Sequence, residues 1–391
     1  PVLPDDILHL ICAELSGRRD FDTLFNCSVA CKNLAVPALT HLYRFHHDAP
    51  LKDMEPLAIA QQELIVQKWS IMWRSIILSS LPGEKTMYPY SRYLRVLDMR
   101  DLKYLLEEDK FRSKISRTFF AGDLARFRIV DNTTPKSGRK AFLKLNYSAI
   151  IEAVGDVITE HTPMLEQLSG DIPGSALIRW APRLPRLRSL ELGDSRALGE
   201  EGVRAVLPAH CPHFDSVSLY FWIESDSDHK LATFLSSLRQ QSLRSFTVIS
   251  EVGMRAETFL ALNSHSAALR ELKLFFADAA IPHLSLLKAC TSIDTLELNA
   301  SSNIDLERTQ NDVFLETIEW LRDCKNLRSL SMSGLLSGAA IVTPLLSDPE
   351  IRLQKLKVDA YMMKDHRHFH LGLANQKDLQ GLFLVGESED V

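Results

Sequence analysis

Leu187-Arg188-Ser189-Leu190-Glu191-Leu192 and Leu269-Arg270-Glu271-Leu272-Lys273-Leu274 decide the fold of this 391-residue chain. Both spell Leu-x-x-Leu-x-Leu. The last two leucines stand two residues apart, so on a strand they share one side while the residues between them face the other. With Ile, Val, Phe and Met allowed, the pattern recurs at Leu94/Leu97/Met99, Leu124/Phe127/Ile129, Phe214/Val217/Leu219 and Leu243/Phe246/Val248. It continues at Ile293/Leu296/Leu298, Leu327/Leu330/Met332, Leu353/Leu356/Val358 and Leu379/Leu382/Leu384, with a weaker copy at Leu165/Leu168. Most central positions fall 22–34 residues apart, close to the leucine-rich-repeat period. Between them run helical spacings: Val203, Val206 and Leu207, then Ile281, Leu284 and Leu287, then Leu315, Ile318 and Leu321. Each unit therefore reads as strand, loop and helix. One unit cannot bury its apolar face, but stacked units share a continuous core. The stretches 131–140 and 299–312 are expected to be surface loops.

About 60 leucines stand out against otherwise ordinary globular usage. Lys and Arg number 45 and Asp and Glu 50, a net charge of −5. That balance disfavours nucleic acid as a partner. No stretch approaches the length of apolar residues that spans a membrane, and the start lacks the features of a secretory signal. The six cysteines are too sparse for a disulfide scaffold, so a reducing compartment, cytoplasm and/or nucleus, is expected. Cys211, Cys290 and Cys324 each precede a strand pattern by three residues (Phe214, Ile293, Leu327). They read as small buried hydrophobes rather than metal ligands.

Residues 1–44 do not fit the repeat. Leu3-Pro4-Asp5-Asp6 opens a helix with acidic residues in its first turn. Ile7, Ile11 and Leu15 then share one face, and Ser16-Gly17 ends it. Asp20–Asp22 supplies the next cap, followed by the stripe Leu24, Cys27, Cys31 and Leu34, and Pro37 is placed to open a third helix. Leu3, Leu8, Leu10, Ile11, Leu15, Phe21 and Phe25 are too many apolar residues for one buried side. A stripe of Leu57, Leu64, Ile65, Trp69, Met72, Trp73, Ile76 and Ile77 makes 55–81 one long helix or two abutting ones.

The spacing of Leu3-Pro4, Ile7, Ile11, Leu15, Phe21, Leu24, Val29, Cys31-Lys32, Leu34 and Leu42-Tyr43-Arg44 resembles the F-box motif. Leu34 and Tyr43 replace the aromatic and the tryptophan often found there. Leu24–Ala30, Val36–Leu39, Trp73–Leu78 and Tyr93–Asp101 resemble filamentous-fungal F-box proteins. Gly199–Val203 through Cys211–Phe214 resembles the cysteine-containing leucine-rich repeats that often accompany F-boxes, though no asparagine ladder follows the strands. The resemblance implies an α/β chain with an F-box at 1–47, a helical linker at 48–90, and an irregular leucine-rich-repeat domain at 91–391. Parallel strands would line the concave face of that horseshoe and helices the convex face.

The resemblance also implies a function: substrate receptor of an SCF-type cullin–RING ubiquitin ligase. A Skp-type adaptor would bind Leu3, Pro4, Ile7, Ile11, Leu15, Phe21, Leu24, Val29, Leu34, Leu42 and Tyr43. A protein substrate would bind the strand face opposite the leucines. Residues there include Arg126, Arg128, Tyr220, Lys273, Phe275, Lys355, Lys357 and Phe383, with Trp222 running on from Tyr220. The alternative is a leucine-rich scaffold or regulatory binding protein outside any ligase. No phosphate loop, nucleophile elbow or metalloprotease motif occurs, so neither catalysis nor a cofactor is expected. Cys27 and Cys31 beside His41, His46 and His47 read as core. His366, His368 and His370 read as a polar loop, and Arg100–Arg117 as a solvated helix face.

Overall fold

A computed structural model describes residues 3–44, 59–131, 144–361 and 367–386. His46, His47, Leu57, His366 and most of the 131–140 stretch lie outside the described residues. The chain divides into two compact units, Pro1–Leu187 with His210–Pro212, and Arg188–Ala209 with His213–Val391. The division falls inside the stretch expected to be one repeat domain.

The first unit opens with three helices: α1 (Asp5–Gly17), α2 (Phe21–Ala30) and α3 (Lys32–Arg44). Asp20 caps α2, its carboxylate accepting from the Thr23 N–H at 3.1 Å. α3 begins earlier than the proline suggested. Cys31 adopts an extended conformation that breaks α2, and its carbonyl accepts from Leu34 and Ala35, so Pro37 lies inside α3. Of the two cysteines expected in the core, Cys31 is exposed and Cys27 is half-buried. Cys12, Leu24 and Ala38 form a core cluster of the three helices, with Leu15, Phe21, Cys27 and Leu42 packed against it, and Leu8, Ala35 and Leu39 are buried as well.

A fourth helix, α4 (Ile59–Ser79), is a single rod. Val66, Trp69, Trp73, Ile76 and Ile77 are buried along it, but Leu64 is exposed. Trp69 and Trp73 stand one turn apart. Their indole N–H groups donate to the same carboxylate oxygen of Asp101, at 2.8 and 2.7 Å. Asp101 is buried, so the Arg100–Arg117 run is not a solvated face throughout. Its helix, Met99–Glu107, turns Leu102, Leu105 and Leu106 inward as well.

Two strands of the first unit, β1 (Val96–Asp98) and β2 (Gln167–Gly170), pair in parallel. The expected strand at Leu124/Phe127/Ile129 does not form. Gly122–Phe127 is a 3-10 helix with Leu124 and Phe127 buried. Gly122 holds φ at +67°, a left-handed conformation that starts the turn without strain. Arg126 and Arg128 therefore lie on no strand face.

The second unit contains β3 (Ser189–Asp194), β4 (Ser216–Phe221), β5 (Ser245–Val248) and β6 (Glu271–Phe276). It continues with β7 (Thr295–Ile304), β8 (Ser329–Leu335), β9 (Lys355–Tyr361) and β10 (Gly381–Gly386). Each pairs in parallel with the next. The register aligns Leu190, Val217, Phe246, Leu272, Leu296, Leu330, Leu356 and Leu382 in one row. All but Leu382 are buried. The expected loop after Asn299 is instead a strand extension to Ile304 that rejoins β8 across a bulge. Gly334 makes this possible: its φ is +70°, and a Cβ there would stand 2.6 Å from the Ala300 carbonyl. The connection after β6 is a 3-10 helix, Asp278–Ala289, with Pro282 inside it. His368 and His370 lie on a short helix, Arg367–Leu373, where residues two apart diverge.

The residues just before the strands share a task. The last carbonyls of a helix lack intrahelical donors, and here the next repeat supplies them. Cys290 Sγ donates toward the Leu262 carbonyl and Cys324 Sγ toward the Cys290 carbonyl. Cys211 does the same toward Ala181 and Leu184 in the first unit. Burial pushes all three thiols up to about 12, so they stay protonated donors. Cys290→Ala is expected to cost about 1–2 kcal/mol in urea unfolding, through a small cavity and a lost donor. An unchanged midpoint would contradict that role.

His265 and Gln376 do this work elsewhere. Gln376 donates to Leu346 and accepts from the Leu353 N–H. His265 bonds the Leu235 carbonyl through Nε2 at 3.1 Å and takes the Leu243 N–H on Nδ1 at 3.5 Å. Those roles require the neutral Nε2–H tautomer. Burial accordingly lowers the His265 pKa from its ordinary value near 6.5. A lowered histidine pKa means the unfolded chain takes up the proton first, so stability falls as pH drops below about 6.5. Chemical denaturation at pH 7.5 and 5.5 should show this loss. His265→Gln should reduce it, since glutamine already serves at the equivalent place. A variant with the parent's pH dependence would assign the loss elsewhere.

Candidate functional site

Two surfaces carry the candidate residues. The first is built on α1 and α2. Leu8, Cys12 and Ser16 face inward, which turns the next positions round the helix outward. Leu3, Ile7, Leu10 and Ile11 are exposed at 52%, 40%, 65% and 42%; the spacing of Ile7, Leu10 and Ile11 places them on one side of α1, and Leu3 lies just before the helix. Pro4 is exposed beside them. On α2, Phe25 and Val29 stand one turn apart and are exposed. Isolated apolar residues at a surface are ordinary; here several share one side of a helix.

The eleven expected adaptor residues separate into groups. Leu3, Pro4, Ile7, Ile11 and Val29 face outward. Leu24 is fully buried and belongs to the core, with Leu15, Phe21 and Leu42 packed around it. Leu34 is half-buried. Tyr43 is turned toward its own chain: its hydroxyl lies 2.8 Å from Ser75 Oγ on α4, and its ring packs on Tyr90 at 4.8 Å. Burial raises the Tyr43 hydroxyl to about 12. Helical spacing identifies the apolar stripes, but three short helices divide them between core and surface only by packing. Leu10 and Phe25, missed as contact residues, are exposed for that reason.

The second surface is the sheet face opposite the leucines in the second unit. Ladder register arranges it in rows. One row reads Ser189, Ser216, Ser245, Glu271, Thr295, Ser329 and Lys355. The next reads Glu191, Ser218, Thr247, Lys273, Glu297, Ser331, Lys357 and Phe383. Past Leu219, Val248 and Leu274 come Tyr220, Ile249 and Phe275, in one slot of three neighbouring repeats. Tyr220 and Phe275 are half-buried and Ile249 is exposed. Ile249 lies one residue beyond the end of β5 (Ser245–Val248), whereas β4 and β6 run on through Tyr220 and Phe275. Its slot, shared with Tyr220, is the signal that identifies it.

Trp222 does not belong to this face. It is fully buried, and its backbone N–H donates to the Glu251 carbonyl. Phe221 and Ile223 beside it are exposed instead. Lys273 is tied down by Glu271 at 2.6 Å and Glu297 at 3.6 Å. The Tyr220 hydroxyl donates to Glu191 at 2.9 Å and Ser245 donates to Glu271 at 2.9 Å. Glu191, Glu271 and Glu297 are thus engaged within the face. Lys355 and Lys357 are exposed on β9, Lys357 lying 3.3 Å from Asp359. Phe383 is exposed on β10. Among the described residues no group of three or more His, Cys, Asp or Glu side chains is placed to hold a metal, and no helix is long and apolar enough to cross a membrane.

By its repeats this is an α/β chain of leucine-rich strand–helix units with parallel strands. No known protein family matches it, and no curated protein does. Among solved structures it is similar to an internalin (inlF) from Listeria monocytogenes str. 4b F2365, at 14% identity and a TM-score of 0.35. The match covers 59% of this chain and 57% of that one, so it spans little more than half of either.

Proposed function

We propose that this chain is the substrate-recognition subunit of an SCF-type cullin–RING ubiquitin ligase, acting in the cytoplasm or nucleus. Its three N-terminal helices bind a Skp-type adaptor, and the open sheet face of its repeats binds a protein substrate. The chain does no chemistry. Its contribution is proximity, holding a substrate lysine near the charged conjugating enzyme.

The observation that supports this most is the α1 stripe. Ile7, Leu10 and Ile11 are exposed along one side of α1, with Leu3 exposed just before it. A helical cap that merely closed the repeats would turn a polar face to water. A partner that covers this stripe removes its apolar surface from water, at about 25 cal/mol per Å². The resemblance of the Leu3-Pro4, Ile7 and Ile11 spacing to the F-box is the reason for proposing a Skp-type adaptor as the partner.

The test is native purification of the full-length chain together with a Skp-type adaptor. Stoichiometric co-elution is expected. Failure of purified adaptor and purified chain to associate at micromolar concentration would overturn the proposal.

A further inference from the structure

The open face of the second unit is asymmetric. Toward one side it offers an apolar row, Tyr220, Ile249 and Phe275, on three successive repeats. The carboxylates near that row are already engaged: Glu191 by Tyr220, and Glu271 and Glu297 by Lys273. Toward the other side, β9 presents two exposed lysines. Lys355 has no ion pair among the described residues, and Lys357 shares Asp359. The ladder sets Lys355 opposite Ser329 and Lys357 opposite Ser331, so the neighbouring strand adds no negative charge. The face therefore combines an apolar anchor point with a separate, incompletely neutralised positive point.

We propose that this face holds an extended peptide segment of a partner protein, with an apolar side chain over Tyr220, Ile249 and Phe275 and an acidic side chain at Lys355 and Lys357. This rests on the assignment of the open face to the substrate and specifies what the substrate carries. The spacing follows from the sheet. Phe275 on β6 and Lys357 on β9 are three strand intervals apart and two residues out of register, roughly 16 Å at about 4.8 Å per strand and about 3.3 Å per residue. An extended chain advances about 3.3 Å per residue, so the apolar and acidic residues should stand four to five positions apart. A nucleic acid does not suit the face, because two lysines would have to hold a polyanion beside Glu191, Glu271 and Glu297.

The test pans phage-displayed random nonapeptides against the purified full-length chain. Enriched peptides are expected to carry Leu, Met or Phe and, four to five residues away, Asp or Glu. Lys355→Glu with Lys357→Glu should weaken those peptides about tenfold or more and shift enrichment toward Lys and Arg. Lys355→Gln with Lys357→Gln should remove the acidic preference without reversing it, which covers the case that the reversal harms folding. Tyr220→Ala with Phe275→Ala should lose the apolar preference and keep the acidic one. No enrichment, enrichment unchanged by the lysine substitutions, or tighter binding of an oligothymidine probe than of any peptide would overturn the proposal. Adaptor association is measured on the same preparations. Its loss alone counts against the ligase assignment, while its retention with unselective panning counts against the peptide proposal.

Discussion

A full-length chain carrying Ile7→Asp and Ile11→Asp is expected to lose adaptor binding while keeping the thermal midpoint of the parent. Both side chains are exposed in the free chain, at 40% and 42%. Their replacement removes little from its core. In a complex the exposed part of each would be covered, and since fully burying an isoleucine stabilises by about 1.5–3 kcal/mol, covering two-fifths of one contributes roughly 1 kcal/mol. The substitutions remove that gain twice and add two carboxylates that must be desolvated without a partner. Together they should weaken association by more than about 3 kcal/mol, a factor above one hundred. Isothermal titration with purified adaptor measures this directly. Leu8→Asp and Leu24→Asp are the comparison. Leu8 is 6% exposed and Leu24 0%, so both should unfold the N-terminal helices rather than act at the surface. Unchanged adaptor affinity in the double variant would show that α1 is not the contact.

Asp101→Ala is expected to destabilise the first unit strongly, away from that surface. One carboxylate oxygen receives the N–H groups of Trp69 and Trp73, and both indoles are buried. Removing it leaves two donors without an acceptor in a site closed to water, at about 1–3 kcal/mol each. The expected loss is about 2–6 kcal/mol, read as a fall in the urea midpoint. Asp101→Asn should recover part of it, because the amide keeps a carbonyl oxygen though not its charge. A silent Asp101→Ala would mean that the indoles find other acceptors.

Much of this molecule is legible locally. Period-two alternation places the leucines of β3 to β9 on one side, and the ladder then buries them where the spacing expects. That property needs only a few consecutive residues. The same pattern at Leu124, Phe127 and Ile129 failed because a left-handed Gly122 and a 3-10 turn bury Leu124 and Phe127 another way. Periodicity identifies residues that need burial, not the element that provides it. The candidate surfaces divide similarly. Tyr220 and Phe275 were legible because each follows a buried strand leucine. Ile249 was passed over in the same slot, and Trp222, two residues beyond Tyr220, left the face because the chain turns after β4 and carries the ring inward.

Local spacing along the chain gives away the repeating unit, the three helices at its start and the cysteine slot before the strands. All of these follow from spacing within a single unit. Only the tertiary structure decided which apolar residues are core. Leu24 and Tyr43 are occupied by their own chain, through α1–α3 packing and the Ser75 hydroxyl, while Leu10 and Phe25 are left exposed. It alone joined Asp101 to two tryptophans more than 25 positions away. It alone paired Lys273 with Glu297 on the next strand and left Lys355 without an ion pair among the described residues. The physical reason is that burial and pairing depend on neighbours brought close by the fold, and a one-dimensional pattern contains no information about which side of a helix another element will cover.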